Sequence, residues 1–330
     1  MTYVKFLLCS IYLVSVIYAF AQDTHFSQFY QAPLLINPAK AGFFNGNYRL
    51  QGIYRSQWKE ITMPFKSITG TADLSLPAGE KKNNLFGIAV TSFADKAGDA
   101  DYTTNEINAS LSYHQSFGND HRHFIGLGIS TGVANTTFDY SKLIFDENYK
   151  NGSNTESLPL SKAHYLDFSA GIEYNYLNEK TQYNFGIAVF HINHPALNYF
   201  GSYDGAYITR RLSLSAGAAV MLSKSIDLQP HAVFFLQGGE GEMELGTDFK
   251  MQLEKNNISH YDVYFSGYYR VGDAFIPGLR IDMNDLSFAL TYDFTVSKLS
   301  AVNKYSGGPE LSVTYTGKFK GSVKTFNPRF

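Results

Sequence analysis

Two pairs of histidines are spaced closely enough in this chain to suggest a metal site. His191 and His194 lie three apart, and His121 and His123 lie two apart. A metal ion in a protein needs three or four convergent ligands. On a strand, positions 191 and 194 would point to opposite faces, and Pro195 marks a strand end. We therefore expect these histidines in turns or near a membrane interface, and no metal site.

The remaining candidates for catalysis are equally sparse. Serines and nine histidines are present, but no G-x-S-x-G nucleophile motif accompanies them. The glycine-rich stretch at residues 238–241 resembles a phosphate loop, but no Lys-Ser/Thr follows it. A hairpin turn explains that stretch better. The sequence thus predicts a protein that is not an enzyme, with no catalytic, cofactor-binding or metal-binding residues.

Alternation with a period of two is the strongest pattern in the chain. Between residues 212 and 222, bulky or apolar side chains take every second position, and small or polar ones lie between them. Successive side chains of a strand point to opposite faces, so each such segment is a strand with one apolar face. The small second face suits a narrow or wet interior. Repeated segments of about 10 residues with this pattern indicate a transmembrane β-barrel.

The N-terminus has the features of a secretory signal. Lys5 is followed by an apolar stretch up to Tyr18 and by an A-x-A site that ends at Ala21, so Gln22 becomes the first mature residue. A membrane-anchor helix is the rival interpretation, but the stretch is short. A lipoprotein is disfavoured because Cys9 lies inside the apolar run. We expect residues 1–21 to be removed and the mature chain to reach the outer membrane.

Composition narrows the class further. Cys9 is the only cysteine, so the mature chain has no disulfide or thiol chemistry. Loss of Lys5 leaves a net charge of −3, which argues against nucleic acid as a partner. The aromatic content of 16% is high, and aromatic girdles at two membrane interfaces would explain it. After Ala21 no run of 18 apolar residues could cross a bilayer as a helix, so a closed barrel remains.

About fourteen antiparallel strands are predicted between Tyr48 and Phe319. In one of them Ile125, Leu127 and Ile129 should face lipid, and Gly126 and Gly128 should face the lumen. Tight turns are predicted at 118–120, 178–180, 222–224 and 283–285. Long connections are predicted at 138–163, 193–207 and 296–308. With an even strand count, all long connections fall at one end, which we expect to be extracellular.

Ten charged residues should point into the lumen: Arg49, Arg55, Asp73, Asp167, Glu173, Glu244, Asp248, Lys250, Asp293 and Glu310. Both signs occur among them, whereas a porin would favour one sign. We therefore expect a network of paired charges across the barrel.

Residues 22–47 do not alternate. Two prolines argue against a regular strand there, and several large apolar side chains argue against a solvated lead-in. We expect a plug-like segment packed in or under the barrel mouth, although a disordered lead-in is the alternative. The domain prediction is thus a signal at 1–21, this N-terminal segment at 22–47, a barrel at 48–319 and a tail at 320–330.

Several motifs resemble a known family. The stretch 25–42, HFSQFYQAPLLINPAKAG, is similar to the N-terminal motif of the PorP/SprF family of type IX secretion system membrane proteins of the Bacteroidetes. The resemblance continues at 54–58, 185–195, 290–294 and 307–315. At the end of the chain, Asn327 stands where we expect cysteine. The candidate partner-binding or plug residues carried by the first motif are Phe26, Ser27, Gln28, Phe29, Tyr30, Pro33, Asn37, Pro38 and Gly42.

The resemblance implies an all-β outer-membrane barrel that serves secretion or gliding motility. Its partners would be other secretion-system components and a secreted surface protein with a C-terminal sorting domain, such as a large adhesin. A second function stays open, because the barrel fold alone is equally compatible with an outer-membrane channel or porin for small solutes.

Overall fold

A closed antiparallel sheet forms most of the described part of the chain. In the computed structural model, the structure describes residues 23–59, 63–79, 83–143, 161–199, 206–255, 260–320 and 328. Its strands are β1 Tyr48–Gln57, β2 Phe65–Ala78, β3 Asn84–Ala97, β4 Tyr102–Phe117, β5 His123–Thr137, β6 Lys162–Leu177, β7 Thr181–Phe190, β8 Arg211–Ser223, β9 Ile226–Gln237, β10 Glu240–Lys255, β11 His260–Arg270, β12 Ala274–Met283, β13 Leu286–Thr295 and β14 Ser306–Gly317.

Helices are few and short within the residues that the structure describes. Single-turn 3₁₀ helices cover Phe29–Gln31, Pro33–Leu35, Pro38–Lys40 and Tyr140–Lys142, and one α-helix covers Ser300–Asn303. Among the described residues, no helix has the length and hydropathy needed to cross a membrane.

Each strand pairs antiparallel with its neighbours in sequence, and β1 pairs with β14 to close the barrel. In that closing pair Tyr48 lies opposite Gly317, and Arg55 lies opposite Glu310. Closure leaves no free sheet edge, which is the condition for strands to cross a bilayer. The predicted fold class, a barrel of about fourteen antiparallel strands, is confirmed.

The two faces of the wall follow the predicted alternation. Ile125, Leu127 and Ile129 of β5 are 44%, 55% and 61% exposed on the outer surface. Gly126 and Gly128 lie between them, at positions where a side chain would face the lumen. The outer surface is therefore apolar, as a wall in contact with lipid must be.

The connections alternate between two ends of the barrel. The long connections β5–β6, β7–β8 and β13–β14 share one end, here called the long-loop end. Tight turns such as β4–β5 and β12–β13 share the other, here called the short-turn end. The predicted grouping of long and short connections is thus confirmed, although residues 144–160 and 200–205 lie outside the described part of the chain.

Aromatic side chains gather on the outer surface near both ends. At the short-turn end, Tyr176 stacks on Tyr183 with ring centroids 4.8 Å apart. At the long-loop end, Tyr292 contacts Phe294 at the same centroid distance. Rings at both ends suit the two membrane interfaces, where an aromatic side chain can meet apolar and wet surroundings together.

We expect Leu127→Arg to destabilise the barrel by about 2–4 kcal/mol, because a charge at the middle of a lipid-facing strand must enter the hydrocarbon. The measurement is urea unfolding of the protein refolded into lipid vesicles. Met283→Arg is the control, because Met283 is the last residue of β12 at the short-turn end. Equal costs for the two variants would contradict the lipid-facing assignment of Leu127.

An epitope inserted after Gly152 should be labelled by antibody on intact cells. Gly152 belongs to the long β5–β6 connection, outside the described residues, and polar loop tips tolerate insertion. Labelling that requires permeabilised cells would reverse the orientation and place the long-loop end in the periplasm.

Candidate functional site: the N-terminal segment inside the barrel

Residues 23–47 run through the barrel lumen and are called here the luminal segment. At the long-loop end, the Asp23 backbone N–H donates to Gln237 Oε1 at 2.8 Å, and Gln237 is the last residue of β9. At the short-turn end, the Asn47 backbone N–H donates to the carbonyl of Gly317 at 2.8 Å. The chain therefore traverses the lumen from the long-loop end before it enters β1.

Local sequence explains why the luminal segment is not a strand. Pro33 and Pro38 each occupy the first position of a 3₁₀ helix, where the missing N–H costs no hydrogen bond. The Asn37 side chain caps the second of these helices, because its Oδ1 accepts from the Ala39 N–H at 2.9 Å. The result is a compact chain of short turns that fits between the barrel walls.

A charged cluster holds the start of the segment. His191 Nε2 lies 2.7 Å from Asp23 Oδ2, and its Nδ1 lies 2.8 Å from Asp167 Oδ1. Arg211 Nη1 also reaches Asp23, at 3.2 Å. Since His191 immediately follows β7 and Arg211 begins β8, this cluster ties the segment to the base of the long β7–β8 connection.

The two carboxylates set the charge of His191. Burial alone would lower the pKa of this imidazole, but Asp23 and Asp167 outweigh burial and raise it to about 10. Partial burial would raise the pKa of Asp23, yet His191 and Arg211 hold it well below its usual range. The stabilisation by His191 is complete below its unfolded pKa of about 6.5 and is lost as the pH rises through about 10.

Further along the segment, Ser27 and Gln28 are held by hydrogen bonds to side chains of the wall. The N–H groups of Ser27 and Gln28 both donate to the Glu310 carboxylate, at 2.9 and 2.7 Å. The Ser27 hydroxyl donates to Asp293 at 2.6 Å, and the Ser312 hydroxyl donates to Gln28 Oε1 at 2.6 Å. Ser27, Gln28 and Glu310 are wholly buried. Charge-assisted bonds of this kind fix the position of the segment against β13 and β14.

Two arginines balance the negative charge of the buried carboxylates around Ser27 and Gln28. Arg55 Nη2 and Arg270 Nη1 lie 2.7 and 3.1 Å from Asp293 Oδ2. Arg270 Nε also lies 3.0 Å from Glu244, and its Nη2 donates to the Ser27 hydroxyl at 2.7 Å. Both guanidinium groups are about 2% exposed. The predicted network of paired charges is confirmed, and it includes the luminal segment.

Aromatic residues of the segment pack on inward-facing rings. Phe29 meets Tyr268 edge-on at 5.7 Å between centroids, and Tyr30 stacks on Tyr268 at 5.0 Å and on His231 at 5.5 Å. Phe26 meets Phe93 edge-on at 6.3 Å. These contacts bury Phe26 and Phe29 to 3% and 5% exposure, so the segment has an apolar contact with both sides of the lumen.

A row of small residues receives the second half of the segment. Gly87, Ser112, Gly128 and Gly171 lie opposite one another across β3, β4, β5 and β6. A Cβ at Gly87 would overlap the Ala41 carbonyl, one at Gly128 would overlap Ala39, and one at Gly171 would overlap the Asn37 side chain. We call Gly87, Ser112, Gly128 and Gly171 the glycine row; it lets the backbone of residues 37–42 lie directly on the wall.

Polar contacts flank the glycine row. The Asn37 amide donates to the Ile172 carbonyl at 2.9 Å, and Lys40 Nζ lies 2.5 Å from Glu173. The Gly42 N–H donates to Asp73 at 2.8 Å, and the same carboxylate pairs with Arg49 at 2.7 Å. Buried carboxylates of the wall are thus paired with the segment.

A cavity of about 1010 Å³ lies between the luminal segment and the short-turn end. Tyr30 and Phe43 of the segment line it, together with turn residues such as Asp120 and Asp285. The segment therefore occupies the lumen towards the long-loop end and leaves this cavity, here called the inner cavity, towards the other.

The structure brings together most residues that the sequence singled out. Phe26, Ser27, Gln28, Phe29, Asn37, Pro38 and Gly42 are buried, and Tyr30 and Pro33 are half-buried. All ten predicted inward charges line the interior. Ala21 and Gln22 lie outside the described residues.

Sequence reasoning missed His191, Arg211 and Arg270. β7 ends at Phe190, so the argument that positions 191 and 194 lie on opposite faces of a strand does not apply. His191 does begin a turn, as expected, because its carbonyl accepts from the His194 N–H at 2.9 Å, but its imidazole is also a buried ion-pair partner, which was not predicted. Arg270 could have been found, because it keeps the inward parity of Tyr268 on the same strand. No group of metal-ligating side chains within the described residues could hold a metal ion.

A solved transporter structure supports the barrel fold. The toluene transporter TbuX of Ralstonia pickettii superposes with a TM-score of 0.52 at 9% identity, covering 88% of this chain and 94% of that one. A FadL homologue of Pseudomonas aeruginosa gives a TM-score of 0.47 at 12% identity, covering 84% and 92%. At 9% identity, the likeness to TbuX concerns the fold alone. No curated protein matches the sequence.

The family comparison reaches further than the fold. The profile described as "Type IX secretion system membrane protein PorP/SprF" matches residues 19–315. That match includes the luminal segment and nearly the whole barrel, and it confirms the resemblance of the sequence motifs. The family implies an outer-membrane barrel that works with other type IX secretion components. This chain belongs to the PorP/SprF family of type IX secretion system membrane proteins.

Proposed function

We propose that this protein is a non-enzymatic outer-membrane barrel that holds a partner protein during its secretion or surface attachment. The partner would be a secreted surface protein with a C-terminal sorting domain, such as a large adhesin, acting with other components of the machinery. We further propose that residues 1–21 are cleaved as a signal peptide before the barrel inserts, and that gliding motility depends on the same partner.

One observation carries the proposal. The luminal segment is joined to the wall by buried hydrogen bonds, ion pairs and aromatic contacts along its length. A partner that docks at the long-loop end would meet a mouth of fixed shape, because Asp23 and His191 tie the segment to the base of the β7–β8 connection. Fixed geometry lowers the ordering cost of binding. In this proposal the segment acts as a plug that shapes a docking surface.

The alternative function is a channel for small solutes. The inner cavity would give such a channel an entrance from one side. Between that cavity and the long-loop end, however, Ser27, Gln28 and Phe29 are at most 5% exposed. A buried stretch of chain in the path of a solute favours holding over conduction.

Co-purification from native membranes tests the proposal. A tagged wild-type chain should retain type IX components or a protein with a sorting domain after gentle detergent extraction. In parallel, the purified barrel should show no steady conductance in planar bilayers. Steady conductance together with no retained secretion component would overturn the proposal in favour of the channel.

A further inference from the structure

The inner cavity has a polar wall that is incompletely paired. Asn175 lines it, is wholly buried, and has no hydrogen-bond partner for either amide atom among the described residues. Arg49 also lines it, with an unpartnered Nε. Buried polar groups in native proteins are almost always hydrogen-bonded. The cavity therefore has the chemistry of a site for a hydrogen-bonding ligand.

The end of the chain returns to this cavity. β14 ends at Gly317, and the Phe319 N–H donates to Asn47 Oδ1 at 3.0 Å at the rim of the short-turn end. The Phe319 ring lies 5.6 Å from that of Tyr48. Lys318 lines the cavity, and so does Pro328, which is buried. Nine residues lie between Lys318 and Pro328, and both ends of that stretch border the same cavity.

Charge favours the same occupant. Residues 311–330 contain no Asp or Glu, but they contain Lys318, Lys320, Lys324 and Arg329. Asp285 lines the cavity beside β14, where the Thr316 N–H donates to the Asp285 carbonyl at 2.8 Å, and Asp282 lines it from β12, where Arg280 Nε lies 3.3 Å from its carboxylate. The basic end of the chain thus leaves the barrel next to a carboxylate of the cavity.

We propose that the inner cavity is the binding site of the chain's own C-terminal end, residues 318–330, anchored by Pro328. The ligand class is a basic peptide with proline and aromatic residues. The Asp285 carboxylate beside β14 attracts its cations, and the unpartnered Asn175 amide offers hydrogen bonds to its backbone. This site is separate from the contacts of the luminal segment at the long-loop end and does not depend on a secretion partner.

Thiol protection tests the proposal on the folded barrel without any partner. Cys9→Ser removes the native thiol, and Ser287→Cys then places one thiol in the cavity wall. A charged maleimide should label this thiol at least about tenfold more slowly in the full chain than in a chain that ends at Lys320. A synthetic peptide of residues 318–330 should restore protection of the shortened chain, and a scrambled peptide should not.

Asn119→Cys is the matched control, because Asn119 is exposed in the β4–β5 turn at the same end. Its labelling rate should be equal in both chains. Should the shortened chain fail to show heat-modifiable migration, the full-length variant Lys324→Glu with Arg329→Glu replaces it and should also lose protection. Equal labelling of Ser287→Cys with the native, shortened or charge-reversed end would overturn the proposal.

Discussion

Gly128→Ala should loosen the luminal segment while the barrel stays closed. The new Cβ would overlap the backbone of Ala39, which cannot move aside as a flexible side chain could. Overpacking of this kind costs about 1–3 kcal/mol. We expect the loss to concentrate in residues 37–42, since the wall strands keep their pairing. The measurement is hydrogen exchange at the Gly42 N–H, which donates to Asp73 in the native protein and should lose protection.

Gly267→Ala is the matched control for that variant. Gly267 lies within β11, and a Cβ there would meet nothing within 4 Å. The intrinsic effect of exchanging glycine for alanine in a strand is therefore present without the overlap. Unchanged protection of Gly42 in Gly128→Ala, or an equal loss in Gly267→Ala, would contradict the close contact between segment and wall.

Among the charged residues around Asp293 and Glu310, Arg270→Met should be the most destabilising single substitution. Arg270 contacts Asp293, Glu244 and the Ser27 hydroxyl, all buried. Removing one partner of a buried ion pair leaves an uncompensated charge and costs about 3–5 kcal/mol. Methionine keeps much of the side-chain length, so lost packing adds little. Urea unfolding at neutral pH measures the difference in the free energy of unfolding.

Lys96→Met provides the comparison for Arg270→Met. Lys96 pairs with Asp101 at 2.9 Å, but its side chain is 49% exposed, and such surface pairs contribute about 0–1 kcal/mol. A cost for Arg270→Met no larger than that for Lys96→Met would show that the network around Asp293 contributes little to the stability of the protein.

The barrel wall was predictable because its information is local. Alternation in β5 places Leu127 outside and Gly128 inside, whatever the neighbouring strands do. Each antiparallel strand reverses the direction of the chain, so connections that are an even number of strands apart lie at the same end of the barrel. This rule groups the long connections at one end. The inward position of Glu310 and Asp293 follows from the same rule. The fold class and the lumen-facing charges can therefore be predicted without knowledge of long-range contacts.

The contents of the lumen were not predictable in the same way. Gly87, Gly128 and Gly171 form one row only through the registers of β3 to β6, and register is not readable from a single strand. Ser27 meets Glu310 across 283 positions of sequence. The partners of His191 likewise lie on distant parts of the chain. Motif resemblance pointed to residues 25–42, but only three-dimensional contacts show what each side chain touches.

The central claim is tested most directly by loosening the luminal segment and measuring whether partner proteins still reach the cell surface. Phe26→Ala with Phe29→Ala removes two rings that are 3% and 5% exposed, each worth about 1.5–3 kcal/mol of burial. Phe288→Ala with Phe294→Ala is the control, since those rings are 43% and 45% exposed on the outer surface. Cells whose only copy carries either double variant are compared, and heat-modifiable migration establishes that both barrels fold.

Surface immunodetection of the proteins that co-purify with the wild-type chain gives the result. The proposed role predicts that these proteins disappear from the surface in the Phe26→Ala, Phe29→Ala cells and remain in the control cells. The luminal segment is claimed to shape the docking surface for a partner. This claim would be contradicted if the Phe26→Ala, Phe29→Ala barrel folds and every such protein still reaches its wild-type level on the surface of those cells.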